Sequence, residues 1–151
     1  MILYLDSSAL VKRYVTEIGS QEVAQAISQA QVTGTAIIAR AEVAGAFAKA
    51  IRVAALTEKE ATACLYQFRQ DWIHLARTKI TEATVARADQ FTWQYQLRGY
   101  DAVHLAAAVL WQEAMGELVS LATYDLKLWH AAAQAGTLAF PVDLPEKMKL
   151  R

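Results

Sequence analysis

"MILYLDSSAL" (residues 1–10) poses the question this chain turns on: five apolar residues run straight into Asp6, and two serines follow. A short, continuously apolar run reads as a strand buried on both faces, the habit of a parallel sheet. A carboxylate at the end of such a strand must leave water, which is costly unless something compensates its charge. The segments downstream continue the pattern. "TAIIA" (35–39) and "ELVSLAT" (117–123) read as buried strands, "WIHLA" (72–76) as a short one, and "TLAFPV" (137–142) as an edge strand with Pro141 near its end. Helices are expected over 8–14 and 20–30, with Gly19 and Ser20 as the break and cap between them, and over 41–54, where Val43, Phe47, Ala50 and Ile51 share a face. "TEKE" places Glu60 three residues after Thr57, a capping-box spacing, and starts a helix running to about Asp71. Further helices are expected over 81–97, closed by Gly99 as a left-handed C-cap, over 101–114, and over 126–135, closed by Gly136. Strands separated by helices predict a three-layer α/β/α domain: a short, mostly parallel central sheet with helices on both faces.

The totals agree with one folded domain. The 151 residues are 55% apolar and 20% charged, with few Gly and Pro, which excludes a disordered or collagen-like chain. No repeat or linker divides it, so residues 1–140 read as a single domain and 141–151 as a C-terminal tail whose "EKMKLR" is a frayed, mildly basic end. A single cysteine, Cys64, fits a reducing cytoplasm and a small core residue. The start lacks a basic region before its apolar stretch, so no secretory signal is expected. The longest uninterrupted apolar run, residues 105–111, is seven residues; a membrane span needs roughly 20. A cytoplasmic protein with no membrane partner is expected.

In parallel sheets, ligands bind beyond the carboxyl ends of the strands. Four acids fall at such places. Asp6 ends the first strand, Glu42 lies in the first turn after the second, Asp101 begins the helix "DAVHLAAAVL", and Asp125 follows "LVSLAT" by two residues. Singly, Asp101 and Asp125 are ordinary helix caps favoured by the helix dipole, and Glu42 is a solvated first-turn residue. Together they could converge on one edge, where mutual repulsion would force protons onto some of them unless a cation intervened. Oxygen-only ligation without a Cys/His cluster suits Mg²⁺ or Mn²⁺ rather than Zn²⁺. Such a centre activates water and stabilises a phosphodiester under in-line attack.

These residues carry a resemblance. "YLDSSALVKRY" resembles the first motif of the PIN-domain family, particularly its VapC-type toxins, "ARAEVAGAF" the second, "LRGYDAVHLAAA" the third and "LATYDLKLWHAA" the fourth, in the family's order over about residues 2–140. The resemblance implies a compact PIN-like α/β/α fold and metal-dependent cleavage of RNA to a 5′-phosphate and a 3′-hydroxyl, restrained by a cognate antitoxin. By the same resemblance Asp6 and Asp101 are the main metal ligands. Asp125 completes the site directly or through water, and Glu42 holds a second metal or orients the attacking water.

The remaining candidates have two readings each. Ser7 and Ser8 cap the helix after Asp6, or Ser7 holds a metal-bound water. Thr123 hydrogen-bonds within the site or only finishes a strand. His104, three residues beyond Asp101, is a general acid or a packed, hydrogen-bonded histidine, the second being preferred. Lys12, Arg13 and Arg98 contact RNA phosphates or are solvated charges. Trp72, Trp93, Trp111 and Trp129 are packing residues rather than base-stacking platforms. The chain carries 15 basic and 15 acidic residues, and without the four site acids 15 positive charges face 11 negative ones. That permits RNA binding without predicting tight non-specific binding. The leading reading is a metal-dependent endoribonuclease. The alternatives are a non-catalytic PIN-fold module that binds protein or RNA, and a phosphotransfer receiver, which the lack of a paired acid on the first strand disfavours. A homodimer packed through 41–54 or 81–97 is expected.

Overall fold

The computed structural model describes residues 1–149. Five strands form one sheet: β1 (Ile2–Leu5), β2 (Val32–Ala36), β3 (Ala76–Thr78), β4 (Val119–Ala122) and β5 (Leu138–Phe140). Their order is β3-β2-β1-β4-β5 and every pairing is parallel. The helices are α1 (Ser7–Val11), α2 (Ser20–Gln29), α3 (Ala39–Arg52), α4 (Glu58–Trp72), α5 (Glu82–Tyr95), α6 (Gly99–Met115), α7 (Leu126–Gln134) and α8 (Leu144–Met148). The three-layer α/β/α architecture read from the sequence is the one observed.

The central strand explains the layers. All four residues of β1 are buried, and alternate side chains point to opposite faces. Ile2 and Tyr4 join a core with Phe91 of α5, Leu105 of α6 and Leu128 of α7. Leu3 and Leu5 join the other, with Leu10 of α1, Val43 and Phe47 of α3, and Phe68 of α4. Truncating Leu3 or Leu5 to Ala would cost about 2–5 kcal/mol, because the closely packed layers cannot collapse into the space.

Several local expectations shift. β2 begins at Val32, opposite Ile2, and ends at Ala36, so Ile37 and Ile38 turn into the next helix. Pairing with β1 sets that register, and an apolar run alone cannot. "WIHLA" is not a strand: Trp72 is the last residue of α4, edge-to-face on Phe68 at 5.6 Å, and β3 starts only at Ala76. Ile51, one turn beyond Phe47 on the same side of α3, is exposed where the helix ends. The left-handed C-cap of α5 is Gln96 (φ 56°), while Gly99 is the first residue of α6. The Thr57–Glu60 capping box forms as the spacing predicts. The "frayed" tail is helical over Leu144–Met148, and Leu144 is fully buried against the α1–α4 core. Leu150 and Arg151, the last residues of that expected tail, lie outside the described residues.

The chain runs outward from β1 through β2 to β3, then returns to place β4 on the other side of β1. The crevice between the carboxyl ends of β1 and β4 is therefore the topological switch point of the sheet.

Candidate functional site

Asp6 stands at that switch point. Its backbone N–H donates to Ala122 O at 3.1 Å, continuing the ladder between β1 and β4. Its carboxylate is the N-cap of α1: Oδ1 accepts from the Ala9 N–H at 2.9 Å and from Ser8 Oγ at 2.7 Å, and Oδ2 accepts from Thr123 Oγ1 at 2.6 Å. The cap is thus Asp6 itself, not Ser7 or Ser8 as the sequence suggested. Burial pushes the Asp6 carboxyl above its ordinary range, and the nearby His104 and the three hydrogen bonds offset this only in part. Thr123 faces both ways: it donates to Asp6 and accepts the Asp125 N–H at 3.1 Å. Ser8 Oγ also accepts the Tyr124 N–H at 3.0 Å, so two hydroxyls tie the end of β1 to the loop after β4.

Glu42 reaches the same edge from the first turn of α3. Its Oε1 accepts from Ser7 Oγ at 2.7 Å and lies 2.7 Å from His104 Nε2. Partial burial pushes this carboxyl up, but the hydrogen bond and charge of His104 and the Ser7 hydroxyl outweigh it, leaving the group below its ordinary value. His104 is buried, and its other nitrogen lies 2.7 Å from the hydroxyl of Tyr4. The packed, hydrogen-bonded reading of His104 is the one observed. Tyr4 was not a sequence candidate. The signal for it was a phenol in an otherwise aliphatic buried strand, whose hydroxyl needs a partner.

Asp101 and Asp125 form a half-buried pair bridged by an exposed arginine. Asp101 lies in the first turn of α6, and Asp125 is the N-cap of α7, accepting the Leu128 N–H at 2.9 Å. Arg98 bridges them, its Nε at 3.0 Å from Asp101 Oδ2 and its Nη2 at 3.4 Å from Asp125 Oδ2. The Arg98 side chain is 81% exposed, against 19% for Asp101 and 31% for Asp125. It stands between two openings. One, of about 680 Å³, is lined by Ser7, Ser8, Lys12, Glu42 and Lys49; the other, of about 310 Å³, by Asp101, Asp125 and Lys127.

The basic candidates separate. Lys12 is buried rather than solvated: Nζ donates to Ile18 O at 2.7 Å, pairs with Glu17 at 3.0 Å and lies over the Tyr124 ring at 4.3 Å. Gly19 (φ 94°) makes room for that ring, since a Cβ there would stand 2.6 Å from the Tyr124 hydroxyl oxygen. Lys12 therefore lines the cavity from a buried position with two of its donors already engaged. Arg13 is not brought to this edge. It lines a different cavity with Val32, Thr33 and His74, at the amino end of β2.

A divalent cation is the group this edge suggests. The donor set is hard and anionic, with oxygen atoms only, and a guanidinium already sits between two of the carboxylates, so the residues fit such an ion chemically. Among the described residues, however, no three acidic, histidine or cysteine side chains are grouped closely enough to hold one ion. The acids lie on one edge as a buried Asp6, a half-buried Glu42 and one arginine-bridged pair.

A family model described as PIN domain matches residues 3–134. The chain belongs to the PIN domain family. Two curated relatives from Mycobacterium tuberculosis, Ribonuclease VapC45 (strain CDC 1551 / Oshkosh) and Ribonuclease VapC49 (strain ATCC 25618 / H37Rv), are each 31% identical to it over 144 residues, 95% of this chain and 97% of theirs. A solved toxin–antitoxin complex from Klebsiella pneumoniae shares the fold, with a TM-score of 0.63 and 18% identity over 85% of this chain and 90% of that one.

Proposed function

We propose that this protein is a metal-dependent endoribonuclease and the toxin of a toxin–antitoxin pair, working in the cytoplasm. The observation that carries this reading is the placement of Asp6, Glu42, Asp101 and Asp125 around the β1/β4 switch point. The near full-length likeness to two proteins named as VapC ribonucleases supports it. Asp6, Asp101, Asp125 and Glu42 would hold Mg²⁺ or Mn²⁺. The bound ion would lower the pKa of a water and neutralise charge developing on the phosphodiester.

The chain's own residues then have distinct tasks. Ser8 and Thr123 fix both oxygens of Asp6, so its orientation is set before any ligand arrives. Glu42 holds one carboxylate oxygen against its partners and can take a proton from water on the other. Arg98 and Lys49, at the rim of the larger cavity, receive the backbone phosphates, with Arg98 leaving Asp101 and Asp125 to do so. The 5′-phosphate and 3′-hydroxyl products follow if water attacks phosphorus and the 3′ oxygen leaves. The test is cleavage of a panel of structured RNAs with Mg²⁺ or Mn²⁺ by wild type and Asp6→Asn. Equal cleavage by both would remove this assignment.

Two partners follow from exposed surface. Val85 and Tyr100 are exposed along α5 and α6 beside an apolar cavity of about 310 Å³, and Trp93 of α5 is 80% exposed. Such a patch suits a homodimer, and a monomer in light scattering at micromolar concentration would exclude it. An antitoxin would inhibit by placing a basic side chain where Arg98 sits, among the acids; co-purification of a small basic protein, lost on Asp101→Asn with Asp125→Asn, tests this. The same patch would serve a non-catalytic interaction module, and saturable Mn²⁺ binding lost on Asp101→Asn separates the two readings.

A further inference from the structure

We infer that His104 is a positioning residue for Glu42, locked by Tyr4 so that Glu42 offers a single oxygen, Oε2, to the cavity. This rests on the proposed role of Glu42. Three elements meet in the arrangement. Tyr4 projects from β1, His104 from the second turn of α6, and Glu42 from the first turn of α3. Tyr4 is fully buried, so its hydroxyl must find a partner inside the fold. Its hydroxyl lies 2.7 Å from His104 Nδ1, and the opposite ring nitrogen, Nε2, donates to Glu42 Oε1 at 2.7 Å. The Tyr4 ring also packs edge-on against the imidazole at 5.9 Å and against Trp111 at 6.4 Å, so the histidine cannot turn over without displacing core aromatics.

Ser7 Oγ donates to the same Oε1 at 2.7 Å. One oxygen of Glu42 is therefore saturated by two donors from two helices. Oε2 makes no hydrogen bond to a described residue, and Glu42 lines the larger cavity beside Ser7, Lys49 and Arg98. A carboxylate held by one oxygen can meet a cation or a water only with the other. The orientation comes from a residue that itself touches neither. Outer partners of this kind are typically worth 10–100-fold in metal affinity or activity.

The test uses the full chain and reads geometry and chemistry separately. In the metal-free protein, ¹⁵N NMR of the histidine rings should show a proton on His104 Nε2 hydrogen-bonded across to Glu42; an Nε2 without a proton overturns the inference. In RNA cleavage, His104→Leu should lower kcat by about 10–100-fold with KM for RNA unchanged, and His104→Gln, whose amide still donates, should recover most of the loss. Equal loss in both variants, with circular dichroism melts like wild type, would reduce His104 to packing and overturn it. Ser7→Ala, on the partly exposed side, removes the second donor without opening the core and should lower kcat several-fold; no change there also counts against the inference. If wild type neither binds Mn²⁺ in calorimetry nor cleaves RNA, the proposed function fails, while the NMR result still decides the geometry.

Discussion

The two halves of the carboxylate edge hold similar charge in opposite ways. Asp6 and Glu42 are fixed by hydroxyls, a backbone N–H and a buried histidine, all supplied by the layers of the fold. Asp101 and Asp125 are held together by one arginine that is 81% exposed. The first half is organised by packing, and its geometry survives as long as the fold does. The second is organised by an ion pair that water, salt or another cation can exchange. A site built this way keeps one wall rigid and the other responsive to what binds.

The largest expected effect comes from breaking the rigid half at its centre. Asp6→Asn should lower RNA cleavage by on the order of 10²-fold or more, since the proposed function makes Asp6 a charged group at the reacting centre. Its stability should move the other way. Burial raises the Asp6 carboxyl, so the ionised form is disfavoured by the fold. A neutral amide of the same shape relieves that cost, and metal-free Asp6→Asn should melt at or above the wild-type temperature at neutral pH. A large drop in Tm would contradict a desolvated carboxylate. Next in size, Thr123→Val strands the Asp125 N–H and one oxygen of Asp6, and should cost about 1–3 kcal/mol in urea denaturation. Asp101→Asn, whose partner is the exposed Arg98, should cost less than about 1 kcal/mol. Similar losses in the two variants would erase the distinction between the halves.

How much of this was readable from the sequence divides along the same line. The four acids could be placed because an apolar strand ending in Asp, or a helix opening with Asp or Glu, is a local signal. The partners that make the buried half rigid are not local. Tyr4 and His104 are 100 positions apart, and Thr123 and Asp6 are 117 apart. Only the parallel β1/β4 pairing and the packing of α6 on the sheet bring them together. The misread elements have the same origin. β2 was placed too late because the apolar "TAIIA" hides a register set by Ile2 opposite Val32. "WIHLA" looked like a strand because Trp72, buried on Phe68, ends a helix with an apolar residue. Lys12 looked like a solvated charge because nothing local shows that Gly19 and Tyr124 close over it.

A third, smaller effect compares the two carboxyls of the rigid half. Glu42 lies below its ordinary value of 4.5 in the folded protein, and Asp6 lies above its ordinary value of 3.8. The signs differ accordingly. Glu42 contributes stability that is full above its unfolded value and is lost as pH falls through its folded value. Asp6 favours the fold most when protonated, below its unfolded value, and that contribution is lost as pH rises through its raised folded value. In metal-free buffer, Tm profiles between about pH 3 and 7 should show this. Glu42→Gln removes a decline toward acid, and Asp6→Asn removes a decline toward neutrality. Profiles parallel to wild type in both variants would mean that the two carboxyls share one environment.

The smallest expected change in stability, and the most informative change in binding, belongs to Arg98→Gln. The guanidinium is exposed, so its two ion pairs should contribute less than about 1 kcal/mol, and less still at high salt. Its removal leaves Asp101 and Asp125 facing each other without a counter-charge. Two uncompensated carboxylates on one edge attract a dication more strongly, so Mn²⁺ affinity measured by calorimetry should rise several-fold. RNA affinity should fall, because the same side chain is the proposed phosphate contact at the cavity rim. The opposite directions separate competition from organisation. If Mn²⁺ affinity falls with the arginine, Arg98 holds the two acids in place for the ion, and the arginine-bridged half is as preorganised as the packed one. If Mn²⁺ affinity rises while RNA binding weakens, Arg98 exchanges between its own carboxylates and the incoming phosphate, and the edge is assembled only when both ligands are present.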